Sequence, residues 1–160
     1  MIGERDLEHL RRCVELAEEA LLAGDEPFGS VLVDGSGTVR GEDRNRVAGG
    51  DRTRHPEFAL ARRSATELSP AERARATVYT SGEHCPMCAA AHGWAGLGRI
   101  VYIASSAQLT EWLSGWGVPA PPVRPLPVSE VAPGVLVEGP VPALVDAVRD
   151  LHARHRGVRG

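Results

Sequence analysis

The sequence predicts an α/β domain, a three-layer α/β/α sandwich around a mixed sheet of about five strands. Three observations predict it. Segments with apolar residues at helical spacing alternate with short Val/Ile-rich runs. One pair of such runs is joined by a Gly-rich turn, which makes them antiparallel. Others are separated by helices, which makes them parallel neighbours joined by crossovers. The 160 residues suit one domain with one core, taken as residues 1–160.

The elements follow in order. Residues 4–23 carry Leu7, Leu10, Val14, Ala17 and Leu21 among Glu and Arg, the pattern of an amphipathic helix ended by Gly24. Residues 28–33 read as a strand, Asp34-Gly35-Ser36-Gly37 as a hairpin turn, and Thr38-Val39-Arg40 as the start of the return strand. The polar stretch 44–54 reads as a loop. A helix over 56–68 presents Phe58, Ala61, Ala65 and Leu68 on one face. Thr77–Thr80 is a short buried strand, 86–95 a small-residue helix and 99–104 the next strand. A short helix fits 107–114. Residues 117–140 are Pro-rich, with Val-rich pieces at 126–128 and 135–137, and a last helix runs from Pro142 to His155. No repeat or low-complexity tract is present.

Composition narrows the function. Hydrophobic residues make up 42 % and aromatic residues only 4 %, so the core is built mostly from Ala, Val and Leu. Net charge is −3, which supplies no long-range attraction for nucleic acid. All 18 basic residues are Arg, so Schiff-base chemistry on a lysine is excluded. The charged start of the chain has no signal-peptide h-region, and no apolar run approaches membrane-spanning length. With the odd count of Cys13, Cys85 and Cys88, this points to reduced thiols and a cytoplasmic setting.

Two helix starts carry the chemistry: His55-Pro56-Glu57 and Cys85-Pro86-Met87-Cys88. The residue before a proline is pushed out of the α region, and proline suits the first helical position. His55 and Cys85 therefore fall at N-caps, with Glu57 and Cys88 in the first turn. A cap and the third helical position face each other, so Cys85 and Cys88 can grip one ion. A helix N-terminus also favours the thiolate that a metal ligand requires. Two thiolates and an imidazole suit zinc, and three ligands rather than four leave a position for water. Zinc lowers the pKa of bound water to about 7. Glu57, two residues from His55, can then handle the proton.

This arrangement resembles the cytidine/deoxycytidylate deaminase superfamily, whose zinc members carry H-x-E followed by C-x-x-C. It is most similar to the branch of guanine deaminases, fungal-type cytosine deaminases and tRNA adenosine deaminases. The likeness runs from about Asp25 to Ala104. It includes Glu26-Pro27-Phe28-Gly29, Asn45-Arg46 and Thr80-Ser81-Gly82-Glu83-His84-Cys85-Pro86-Met87-Cys88. It implies a cytidine deaminase-like fold, Zn2+ held by His55, Cys85 and Cys88, and Glu57 as the proton shuttle. It further implies that the backbone N–H of Cys85 helps hold the attacking oxygen. The Glu83 carbonyl would accept from the substrate amine, and Asn45, the only asparagine, would bond the base. Phe28 belongs to the same substrate-binding set. A homodimer is expected on the same ground. Two positions depart from the family: Pro56 stands where Ala is usual, and His84 where Pro is usual.

Each residue also has a plainer reading. The three ligands could form a closed structural zinc site in an interaction module, and C-x-x-C alone could be a redox pair. His84 reads as a neighbour of the ligands or pocket wall, and Cys13 as a core residue or a partly exposed thiol. Asn45 could simply fit a turn. Trp112 and Trp116, four apart, either pack on the sheet or form a lid that stacks on a base. In the lid reading Glu111 accepts from an amino-imino edge such as guanine's. The expected partner is a small nucleobase or nucleoside, first of the guanine type. A cytosine or aminotriazine comes second and a tRNA adenosine third.

Overall fold

A computed structural model describes residues 1–159. Its elements in chain order are α1 (Glu4–Leu22), β1 (Gly29–Val33), β2 (Val39–Arg44), a 3-10 turn (Val47–Gly49) and α2 (Pro56–Glu67). There follow α3 (Pro70–Arg75), β3 (Thr77–Gly82), α4 (Pro86–Ala95), β4 (Arg99–Ala104), α5 (Ser106–Gly115), α6 (Val128–Val131), β5 (Val137–Glu138) and α7 (Pro142–His155). The five strands form one sheet in the order β2-β1-β3-β4-β5. β1 is antiparallel to both β2 and β3, while β3, β4 and β5 run parallel. The sheet is therefore mixed, as the hairpin and the crossovers require.

Alternation along the strands builds both faces. Val31, Val33, Tyr79, Val101 and Ile103 pack with Leu10, Cys13 and Leu16 of α1 and Val148 of α7. The intervening Leu32 and Val78 pack with Leu60 and Ala61 of α2, and Ile100 packs with Ala89 of α4 and Val128. Successive side chains of a strand point to opposite faces, so one sheet serves two helix layers. Close approach is built into Gly29. A Cβ there would lie 2.5 Å from the Cys13 carbonyl and 2.7 Å from the Ala17 nitrogen, so α1 lies directly on β1. The edge strand β2 carries Arg40, Glu42, Asp43 and Arg44, charges that discourage pairing with another sheet.

The structure departs from the sequence reading in five places. The buried side of α2 includes Leu60, Ala61 and Ser64, whereas Ala65, expected on that face, is exposed. β2 continues to Arg44, because its register with β1 holds from Val39 onward apart from one irregularity at Leu32/Val33. The loop after it contains a 3-10 turn. Helix α3 was not anticipated, although Ser69-Pro70-x-Glu72 is a full capping box whose cap oxygen accepts from the Glu72 N–H at 3.2 Å. The Val-rich pieces differ in kind: 128–131 is a helical turn, and only Val137–Glu138 joins the sheet. Among the described residues, no helix is long and apolar enough to cross a membrane.

Candidate active site

The two prolines do what their stereochemistry demands. His55 (φ −87°, ψ 142°) and Cys85 (φ −67°, ψ 166°) are extended N-caps, each followed by a proline at the first helical position. α2 and α4 pack side by side, so both caps meet at one end of the helix layer. Cys85 Sγ lies 3.5 Å from His55 Nδ1 and 3.5 Å from Cys88 Sγ, and Cys88 Sγ lies 3.6 Å from His55 Nδ1. A tetrahedral zinc with Zn–S of about 2.3 Å and Zn–N of about 2.0 Å separates its ligand atoms by roughly 3.5–3.8 Å. Donor chemistry and spacing thus fit zinc, and the structure brings together all three predicted ligands. The Cys85 thiol is pulled well below its usual range by the hydrogen bond shared with Cys88 and, against the effect of burial, by the neighbouring His55. A thiol that readily becomes thiolate is the form a metal needs.

Glu57 lies in the first turn of α2 and is only 6 % exposed. It shares the first turn of α2 with the His55 cap, and its carboxylate helps raise the pKa of the Cys88 thiol. Burial raises its pKa, and the Thr80 hydroxyl and the charge of His55 oppose part of that rise. Oε1 lies 2.8 Å from Thr80 Oγ1 and 3.0 Å from Ser30 Oγ, and these two hydroxyls are 2.9 Å apart. Ser30 and Thr80 are partners across the β1/β3 ladder. They hold one carboxylate oxygen, and the sequence reading missed both. Nothing local marks them, since Ser30 and Glu57 are 27 positions apart and meet only when the sheet forms.

The other predicted residues have these surroundings. Asn45 is buried; its backbone N–H donates to the Phe28 carbonyl, and its Oδ1 accepts from the Val47 N–H at 3.1 Å. Its amide nitrogen is buried without a partner. The loop holding it is tied down by Asp25, which accepts from Arg44 at 2.7 Å and from the Ala48 N–H at 2.9 Å. Phe28 lies against Gly82, where an added Cβ would come within 3.0 Å of its ring. His152 of α7 meets Phe28 edge-on at 4.9 Å and Trp112 at 6.5 Å. Trp112 itself packs against the core cluster on the α1 side of the sheet. Glu111 of α5 is exposed. His84 is fully buried, meets His92 edge-on at 5.4 Å and stands outside the ligand set. Both its ring nitrogens are unpartnered, and burial holds its pKa well below the usual histidine range. Cys13 is wholly buried in the core.

An α/β sandwich with two helix N-termini converging on a His-Cys-Cys cluster beside a buried glutamate defines a zinc-site domain. Residues 3–104 match the family described as the cytidine and deoxycytidylate deaminase zinc-binding region. The chain belongs to this family. It is similar to a probable cytosine deaminase of Schizosaccharomyces pombe, 33 % identical over 68 % of this chain and 65 % of that protein. It is also similar to a tRNA-specific adenosine deaminase of Haemophilus influenzae, 34 % identical over 64 % of this chain and 60 % of that protein. The chain thus spans somewhat under two thirds of the length of these two curated relatives. Among solved structures, guanine deaminase from Bacillus subtilis superposes with a TM-score of 0.58 at 32 % identity, covering 69 % of each chain.

Proposed function

We propose that this protein is a zinc-dependent hydrolytic deaminase that releases ammonia from a guanine-type base or nucleoside. The observation that carries the reading is the convergence of His55, Cys85 and Cys88 beside the buried carboxylate of Glu57. Zinc, when bound there, lowers the pKa of a water toward neutrality and so supplies a nucleophile. Glu57 moves the two protons of the attacking water in turn, the first to the ring nitrogen and the second to the departing amine, and the oxygen stays behind as the new carbonyl. Its burial raises the pKa of the carboxyl, which favours uptake of a proton. Ser30 and Thr80 hold Oε1 and fix the carboxylate's orientation. Guanine and water would give xanthine and ammonia, and a nucleoside would react in the same way.

In this reading the unpartnered amide nitrogen of Asn45 donates to an acceptor on the base, which relieves a buried polar group that is otherwise unpaired. The Cys85 N–H helps hold the attacking oxygen, and the Glu83 carbonyl accepts from the exocyclic amine. Phe28 supplies an apolar wall. Trp112 meets His152, which in turn meets Phe28, so it stands behind that wall, with Glu111 one residue before it. The similarity to the Bacillus guanine deaminase supports a purine. A net charge of −3 is a poor match for an RNA backbone. The reading includes a reducing, cytoplasmic setting for the thiol ligands. It also includes a homodimer, for which the 92 % exposed Trp94 on α4 is the surface to test by sedimentation.

Ammonia release from zinc-loaded protein tests this. The panel is guanine, guanosine, deoxyguanosine, cytosine, cytidine, adenosine, an aminotriazine and a tRNA. Turnover of guanine or its nucleosides is expected. Turnover of cytosine or the triazine alone moves the assignment to that ring class, and turnover of tRNA alone moves it to RNA editing. Silence across the panel with zinc bound leaves a structural zinc module.

A further inference from the structure

Glu83 follows the last residue of β3, and its side chain does something separate from its backbone. Its N–H donates to the Ala104 carbonyl at 2.8 Å, which extends the β3/β4 ladder by one step. Its carboxylate then reaches two distant points of the chain. Oε1 accepts from the Ser106 N–H at 2.9 Å, and Oε2 accepts from the Val128 N–H at 2.9 Å. Ser106 is the first residue of α5 and Val128 the first of α6. Between them lie α5, with Glu111 and Trp112, and a Pro-rich stretch that is exposed from residue 119 to 126.

Both feet of the 106–128 excursion therefore stand on one carboxylate. The remaining anchors between the feet are few. Residues 119–126 are all exposed, so little apolar burial holds that stretch. Val128 is fully buried against Ala89 and Ile100, and Trp112 packs on the core. Charge-assisted bonds to backbone N–H groups at a helix start are among the stronger single contacts available to a surface segment. A cleft between this flap and the sheet is lined by Glu83, Tyr102, Ser105, Ser106 and Pro127.

We propose that Glu83 is a positioning residue: its carboxylate latches the 106–128 flap to the end of β3. In doing so it fixes the wall that carries Trp112 and the direction of its own backbone carbonyl, the group assigned above to the substrate amine. This coupling to substrate rests on the proposed function, whereas the latch does not. Loosening the flap weakens substrate capture more than proton transfer, because Glu57 and the zinc ligands hang on α2 and α4 and not on the flap.

Hydrogen exchange on zinc-loaded Glu83→Ala, together with steady-state kinetics on the substrate found, tests the proposal. Exchange at Ser106, at Val128 and through the flap is expected to rise by about tenfold, with β3 and β4 unchanged. KM is expected to rise several-fold while kcat changes less. Glu83→Gln keeps one acceptor oxygen and should release one foot only, which preserves the test if the alanine variant folds poorly. Ser105→Ala removes the cap that α5 supplies to itself through the Gln108 N–H, and should loosen α5 while leaving Val128 protected. Unchanged flap exchange in both Glu83 variants would overturn the latch. A loosened flap with KM and kcat both unchanged would overturn the coupling to substrate. If the wild-type protein turned over nothing on the panel, the proposed function would fail, while exchange would still decide the latch.

Discussion

Glu57 is the residue to which the proposed mechanism gives the proton transfers, and its surroundings distinguish it from an ordinary first-turn glutamate. A glutamate in the first turn of a helix is common and merely complements the helix dipole. Here burial raises its pKa, and two hydroxyls from neighbouring strands hold one oxygen. Glu57→Gln preserves size and the zinc ligands but cannot carry a proton. Its kcat should fall by about 10²–10⁴-fold with zinc content unchanged, read by ammonia release beside metal analysis. Thr80→Val removes one of the two hydroxyls and keeps the side-chain volume nearly constant. It should lower kcat by about tenfold with zinc content again unchanged. Full activity in the valine variant would mean that the carboxylate needs no support from β3.

At the scale of elements, the site depends on helix starts and on how closely helices approach the sheet. α2 and α4 deliver their ligands through the same local device, a residue held extended by the proline after it. On the other face, α1 comes close enough to β1 that only a glycine fits at position 29. Gly29→Ala would place a methyl group against backbone atoms of α1, which cannot rotate away. The expected cost is about 1–3 kcal/mol, seen as a melting temperature lower by several degrees. Ser30 is the next residue, so a shift of β1 also disturbs the support of Glu57. Catalysis in this variant should therefore fall even at temperatures where it remains folded.

Over the whole molecule, two long-range ties join parts that are remote in sequence. One is the zinc site, which pins α2 to α4 across 30 residues. Chelation should abolish turnover and lower the melting temperature, and added zinc should restore both, because a ligand that binds only the folded state stabilises it. The other tie is Asp6, which accepts from Tyr79 at 2.6 Å and from Arg99 at 2.8 Å, while Arg99 also donates to Glu138 at 2.6 Å. Burial alone would raise the Asp6 pKa, but bonds from Arg99, Tyr79 and the Gly3 N–H outweigh it and lower the value from 3.8 to about 2. The folded pKa lies below the unfolded one. The contribution is therefore complete above pH 3.8 and is lost as pH falls toward 2. Asp6→Asn should lower stability at neutral pH and flatten acid unfolding across that window, as followed by circular dichroism. An identical acid transition in the two proteins would show that the network does not govern it.

The helices α1, α2, α4 and α7, the hairpin and the central strands were legible in sequence because their signals are local: apolar periodicity, caps, and prolines at helix starts. The zinc ligands and Glu57 were legible for the same reason, since each pair lies within three residues on one helix turn. α3 was readable too, from its capping box, and went unread because its turn of helix buries no apolar side chain. The Pro-rich region was ambiguous because helix and strand cannot be separated over runs of two to four residues. Ser30 and Thr80 against Glu57, His152 against Phe28, His84 against His92, and Glu83 against Ser106 and Val128 left no local trace. Each is a contact between side chains or backbone groups brought together by the packing of the sheet and its helix layers. Spacing along the chain specifies which residues share a helix turn or a strand face, whereas distances between elements arise only when those faces are buried against each other.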